Sequence, residues 1–123
     1  MAKWTLDEFG AYKKAIELFD LVVEDTARMR SDPRAWKLVS QQGASADSVC
    51  ANTEEGYGRW TRKDYAHFLV IARGSTQETR GRYLRFKHWL PKATIDKRVA
   101  LCDEIVSILS SSVRTLRAPG ASQ

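Results

Sequence analysis

The sequence has two cysteines, three prolines and two histidines among 123 residues, and its apolar runs are short. Cys50 and Cys102 are too few for a disulfide scaffold, which points to a reducing cytoplasm. The longest uninterrupted apolar run, Phe68 to Ala72, is far too short to span a bilayer. Acidic Asp7 and Glu8 stand where a secretory leader would carry its apolar stretch. No segment alternates with period two over a useful length, so no sheet is expected. No Cys-x-x-Cys and no Gly-x-x-x-x-Gly-Lys phosphate loop occurs. No cofactor, metal or membrane partner is expected.

What remains is an ordinary globular composition, 43% hydrophobic and 28% charged, sized for one domain over 1–118 with a frayed 119–123 tail. The net charge of +5 is uneven. Residues 1–60 sum to −2 and residues 61–123 to +7. A stripe of that kind attracts a phosphate backbone or simply keeps a helical face solvated.

Helical periodicity runs through nearly the whole chain. Thr5 to Glu8 fits a capping box, followed by Leu6, Phe9, Tyr12, Ile16, Phe19, Val23 and Thr26 as one apolar stripe. Pro33 ends that helix. The second, about Arg34 to Glu55, is rich in small residues (Gly43, Ala44, Ser45, Ala46, Ser48 and Ala51) and is expected to be the most tightly packed. Gly56 is expected to be its left-handed cap. Thr61 starts a third helix that holds spacing from Tyr65 to Leu90, a rod of roughly 45 Å. Gly74 suggests a close helix crossing within it. Thr94 is expected to cap a fourth, with Ile95, Val99, Cys102, Val106, Leu109, Val113 and Leu116 in four-three steps. Short connections favour an all-α, antiparallel up-down-up-down four-helix bundle.

Chemistry has few places to sit. Asp64-x-x-His67 is the one approach to the Glu-x-x-His spacing of bundle-core metal sites, and it lacks a second ligand pair. Ser110-Ser111-Ser112 has no histidine nearby and reads as packing. Arg62 to His67 matches Arg-x4-His, and Arg82 to His88 matches Arg-x5-His. In these spacings the chain is similar to the helical-bundle ribonucleases called HEPN proteins. There histidine would serve as acid or base and arginine would stabilise charge on phosphorus. Trp4, Trp36, Trp60 and Trp89 all fall at expected helix ends, where they close the bundle or anchor an interface.

Residues 38–78 carry a denser pattern: Leu38, Ser40-Gln41, Ser48, Asn52, Glu55-Gly56-Tyr57-Gly58-Arg59, Phe68-Leu69, Ile71-Ala72, Gly74-Ser75 and Glu78. In type and spacing these resemble the bacterial four-helix-bundle family encoded by intervening sequences in 23S ribosomal RNA genes. Accessory proteins of diversity-generating retroelements belong to the same broad group. The resemblance implies a bundle that assembles into a homo-pentameric ring, with no enzymatic activity established for most members. Retroelement relatives are associated with nucleic acid and a reverse transcriptase. This chain departs from the family by having Gly43 and Ala44 where two adjacent basic residues are common.

The expectations are therefore a non-enzymatic cytoplasmic homo-oligomer binding RNA or DNA without sequence reading, or a scaffold for a protein partner, or a ribonuclease using Arg62 and His67. Phosphate contacts are expected from Arg59, Arg62, Lys63, Arg80, Arg82, Arg85 and Lys87. Ser48, Asn52, Glu55, Arg59, Ser75 and Glu78 are expected to form a structural polar cluster near the helix 2–3 turn, with Glu55 or Glu78 paired to an arginine such as Arg59.

Overall fold

The computed structural model describes residues 5–119. Four α-helices dominate it: α1 (Gly10–Ala27), α2 (Trp36–Tyr57), α3 (Arg62–Arg85) and α4 (Lys92–Arg117). Single 3-10 turns, Leu6–Glu8, Pro33–Ala35 and Phe86–His88, precede α1, lead into α2 and finish α3. No strand occurs among the described residues, and none of their helices is long and apolar enough to cross a membrane. Trp4 lies outside the described residues, as does 120–123 of the expected tail.

Cross-helix pairs fix the topology. Gln42 meets Thr79, Ser48 meets Ser75 and Gly56 meets Tyr65, so α2 and α3 run antiparallel. Arg80 meets Asp103 and Arg62 meets Thr115, so α3 and α4 do too. Lys14 with Glu104 and Asp25 with Arg98 set α1 antiparallel to α4. Tyr12, early in α1, reaches Glu54, late in α2. The result is an up-down-up-down four-helix bundle around one core that includes Leu18, Met29, Leu69, Tyr83, Phe86, Ile105 and Leu109.

Start and stop signals act locally. Thr61 accepts a hydrogen bond from the Asp64 N–H at 3.1 Å, capping α3. Asp32 accepts from the Arg34 N–H at 3.0 Å, with Pro33 opening the turn into α2. The Glu8 carboxylate accepts from the Thr5 N–H, but this closes only a 3-10 turn and α1 begins at Gly10. α4 begins at Lys92 after Pro91, so Thr94 lies inside the helix instead of capping it.

Four expectations are corrected. The buried face of α1 is Ala11, Ala15, Leu18, Val22, Asp25 and Thr26, turned from the expected stripe, because the alanines let neighbours close in on that side. Ile16 and Val23 stay 39% and 49% exposed, with Tyr12 and Phe19 half-buried beside them. Gly56 is not a left-handed cap. It lies within α2, where a Cβ would stand 3.0 Å from both Phe68 Cβ and Tyr65 Cδ1. Gly74 is no crossing point either, since a Cβ there would meet nothing within 4 Å. α2 is less enclosed than expected: Ala44 and Ala51 face outward, and the space over Gly43 is open.

Candidate functional site

The seven expected phosphate-contacting residues do not form one surface. Arg62 and Arg85 stand at opposite ends of α3, about 35 Å apart at 1.5 Å per residue. Arg59 pairs with Glu55 at 2.8 Å and lies over the Phe68 ring at 4.6 Å. Arg62 reaches across to the Thr115 carbonyl at 3.2 Å. Arg80 pairs with Asp103 on α4 at 2.7 Å. Lys63, Arg85 and Lys87 are exposed.

Arg82 is the clear correction. It is 9% exposed and points inward, because the α2 residues facing it supply neutral acceptors. Its Nη1 donates to Gln42 Oε1 at 2.9 Å, Ser45 Oγ at 2.8 Å and the Gln41 carbonyl at 3.2 Å. Nε is buried with no acceptor. No carboxylate forms an ion pair with this guanidinium among the described residues. Burial pushes it below its ordinary pKa, the nearby Glu78 charge acting in the opposite direction.

The residues singled out for a polar cluster fall into two groups. Ser48 and Ser75 share a hydroxyl–hydroxyl bond of 2.8 Å, and Asn52 Nδ2 donates to Ser48 Oγ and to the Ser48 carbonyl, both at 2.9 Å. Glu55 and Arg59 form their ion pair at the turn itself, exposed to solvent. Glu78 is exposed and lines a groove with Gln41, Ala44, Ser45, Ser48, Ser75 and Arg82. That groove, of about 320 Å³, lies on the α2–α3 seam.

Sequence reasoning missed the deeper members of this seam. Gln42 Nε2 donates to the Thr79 carbonyl at 2.9 Å, and Ser45 and Thr79 share a hydroxyl bond of 2.7 Å. The spacing of Gln42, Ser45 and Ser48 on α2 against Ser75, Thr79 and Arg82 on α3 was the signal available. A second missed network is buried between α1, α3 and α4. Asp25, 1% exposed, accepts from Arg98 and from the Tyr83 hydroxyl at 2.8 Å. Burial, reinforced by Asp25, raises the Tyr83 pKa, and the same carboxylate raises that of Arg98.

The ribonuclease pairs are not brought together as a site. Five residues turn a helix by about 500°, so Arg62 and His67 point about 140° apart. His67 packs edge-on against Phe68, while Arg82 is buried and His88 lies edge-on to Trp89. Among the described residues no three His, Cys, Asp or Glu side chains gather as a metal-holding group. Ser111 and Ser112 line a small apolar pocket of about 180 Å³ with Tyr65, Leu69, Thr115 and Leu116.

The described tryptophans stand at helix ends and differ in exposure. Trp60 is 99% exposed and Trp36 62%. Trp36 Nε1 donates to the Arg30 carbonyl at 2.9 Å, and Trp89, half-buried, donates to Asp32 Oδ2 at 2.8 Å.

An up-down bundle with a hydroxyl-rich α2–α3 seam is thus the class this architecture defines. The sequence profile of the 23S rRNA-intervening sequence proteins matches residues 7–111, and the chain belongs to that family. No curated protein matches the chain at a significant level.

Proposed function

We propose that this protein is a non-enzymatic, cytoplasmic bundle that works as a self-assembling interaction scaffold, in the ring of five that its family resemblance implies. One observation carries the reading. Ile16 and Val23 hold a line of exposed apolar surface along α1, continued by half-buried Tyr12 and Phe19, all at helical spacing. Apolar rows of this kind are costly in water and are relieved by association. Native mass measured across a wide concentration range tests it. A multiple of 14.0 kDa that persists on dilution supports assembly, and a mass that stays at 14.0 kDa refutes it.

A second role, nucleic-acid contact without base reading, is favoured by exposed Lys63, Arg85 and Lys87. Repetition around an assembly multiplies such sparse contacts. Binding of nucleic-acid-stripped protein to structured RNA and duplex DNA across a salt series tests it. Affinity that falls steeply with salt supports phosphate contact, and no binding at low salt removes the role.

A further inference from the structure

We infer that Trp60 is a stacking platform for an unpaired base of RNA or DNA, with Lys63 and the cations at the end of α4 facing the flanking phosphates. The inference rests on the nucleic-acid reading and deepens it, by naming the part of a strand that is recognised and the side chain that recognises it.

Trp60 does no packing work in the bundle. Its side chain is 99% exposed and makes no hydrogen bond or ring contact among the described residues. The other described tryptophans each donate the indole N–H, Trp36 to the Arg30 carbonyl and Trp89 to Asp32. Yet the backbone that carries Trp60 is held on both sides. The Gly58 N–H donates to the Glu54 carbonyl at 3.2 Å and the Arg59 N–H to the Gly56 carbonyl at 3.1 Å. The Arg59 guanidinium is fixed between Glu55 and the Phe68 ring. Thr61 caps α3, and its carbonyl accepts from the Tyr65 N–H at 3.0 Å. A flat aromatic side chain carried on a fixed turn leaves little to be ordered when a partner arrives.

Charge and shape select the occupant. From Gly58 to Asp64 the turn carries Arg59, Arg62 and Lys63 against Asp64 alone. Glu55, one helical turn earlier, is paired with Arg59, and Glu54 accepts from the Tyr12 hydroxyl. The Arg62 bond to the Thr115 carbonyl sets the last turn of α4 beside the start of α3, which brings exposed Arg114 and Arg117 to the same end. Asp7 and Glu8 precede α1, which packs on α2 and α4, diagonal to α3. A nucleotide offers an aromatic face and a negative phosphate within one unit, the complement of an exposed indole among cations. Every base has such a face, so no base identity is read. In a duplex those faces are already stacked on one another, so the platform favours single strands. An anionic membrane fits less well, because Gly58, Arg59, Thr61, Arg62 and Lys63 supply no second apolar side chain to insert beside Trp60. Tyr57, 41% exposed, is engaged edge-on by Tyr65 at 6.4 Å.

The test measures binding of the full chain to a labelled, unstructured single strand and to the duplex made by annealing its complement. Trp60→Ala, at a fully exposed position, is expected to fold as the unmutated chain does, with circular dichroism as the check. It is expected to weaken single-strand binding about 5- to 100-fold, the loss typical of one stacked base, and to leave duplex binding nearly unchanged. Trp60→Phe should recover most of the loss, because a ring is restored. Lys63→Ala should instead weaken both strands and lower the salt dependence by about one counterion. Trp60→Ala that binds the single strand as tightly as the unmutated chain overturns the platform while nucleic-acid contact stands. Equal loss on single strand and duplex overturns it as well. Trp60-dependent binding to phosphatidylserine vesicles, with none to the single strand, overturns it in favour of a membrane. Failure of the unmutated chain to bind either strand at low salt removes the underlying reading and the platform with it.

Discussion

Arg98 grips Asp25 with two parallel hydrogen bonds, from Nε to Oδ2 at 2.7 Å and from Nη2 to Oδ1 at 3.1 Å, joining the end of α1 to the start of α4. Tyr83 of α3 donates to the same carboxylate, so one aspartate collects three helices. Removing Arg98 leaves a charge stranded in the core. Arg98→Ala is expected to cost about 3–5 kcal/mol, measured by urea denaturation. A loss near the few tenths typical of surface pairs would show that the carboxylate finds other compensation.

Two glycines separate crowding from conformational freedom. Gly56→Ala places a Cβ 3.0 Å from Phe68 Cβ and 3.2 Å from the Tyr65 carbonyl, contacts with little room to yield. A destabilisation of about 1–3 kcal/mol is expected. Gly74→Ala meets nothing within 4 Å inside α3 and is expected to stabilise by up to about 1 kcal/mol. Thermal melts of the two variants should move in opposite directions.

Both thiols are free and buried, and burial raises each to about 12. At pH 8 the native chain should react with an aromatic disulfide reagent far more slowly than the unfolded chain, since the thiolate is the reacting form. Rapid release of two equivalents from folded protein would contradict this.

Asp32 accepts from Arg34 side chain and backbone and from the Trp89 indole, and these bonds hold its carboxyl well below the usual range. A depressed carboxyl contributes stability above its unfolded value, near pH 4, that is lost as pH falls further. Asp32→Asn should flatten the melting temperature below pH 4 and leave less change near pH 7 than total loss of the turn would give. A variant whose acid profile matches the unmutated chain would exclude Asp32 as a contributor.

Helix number, order and antiparallel sense were legible in the sequence because apolar spacing, Thr61 and Pro33 each act within one turn of chain. The facing of α1 was not, since three-and-four spacing fits either of two adjacent faces and large side chains outweighed the alanines that pack. Arg82 was misread for a related reason. Its charge is visible in the sequence, whereas Gln42, Ser45 and the Gln41 carbonyl that hold it lie some forty residues away. The Ser48–Asn52 and Glu55–Arg59 contacts are local to α2 and its turn, where spacing is informative. Asp25 joins residues 58 and 73 positions distant, and nothing in its own neighbourhood announces them.

The paired hydroxyls between α2 and α3 have a mechanical consequence. Sliding one helix by a single turn would part Ser45 from Thr79 and Ser48 from Ser75 together, and strip Arg82 of its acceptors in the same step. Every intermediate position carries orphaned polar groups, so the two helices translate as a single beam. A displacement of α3 must then carry α2 with it, so the two behave mechanically as one element.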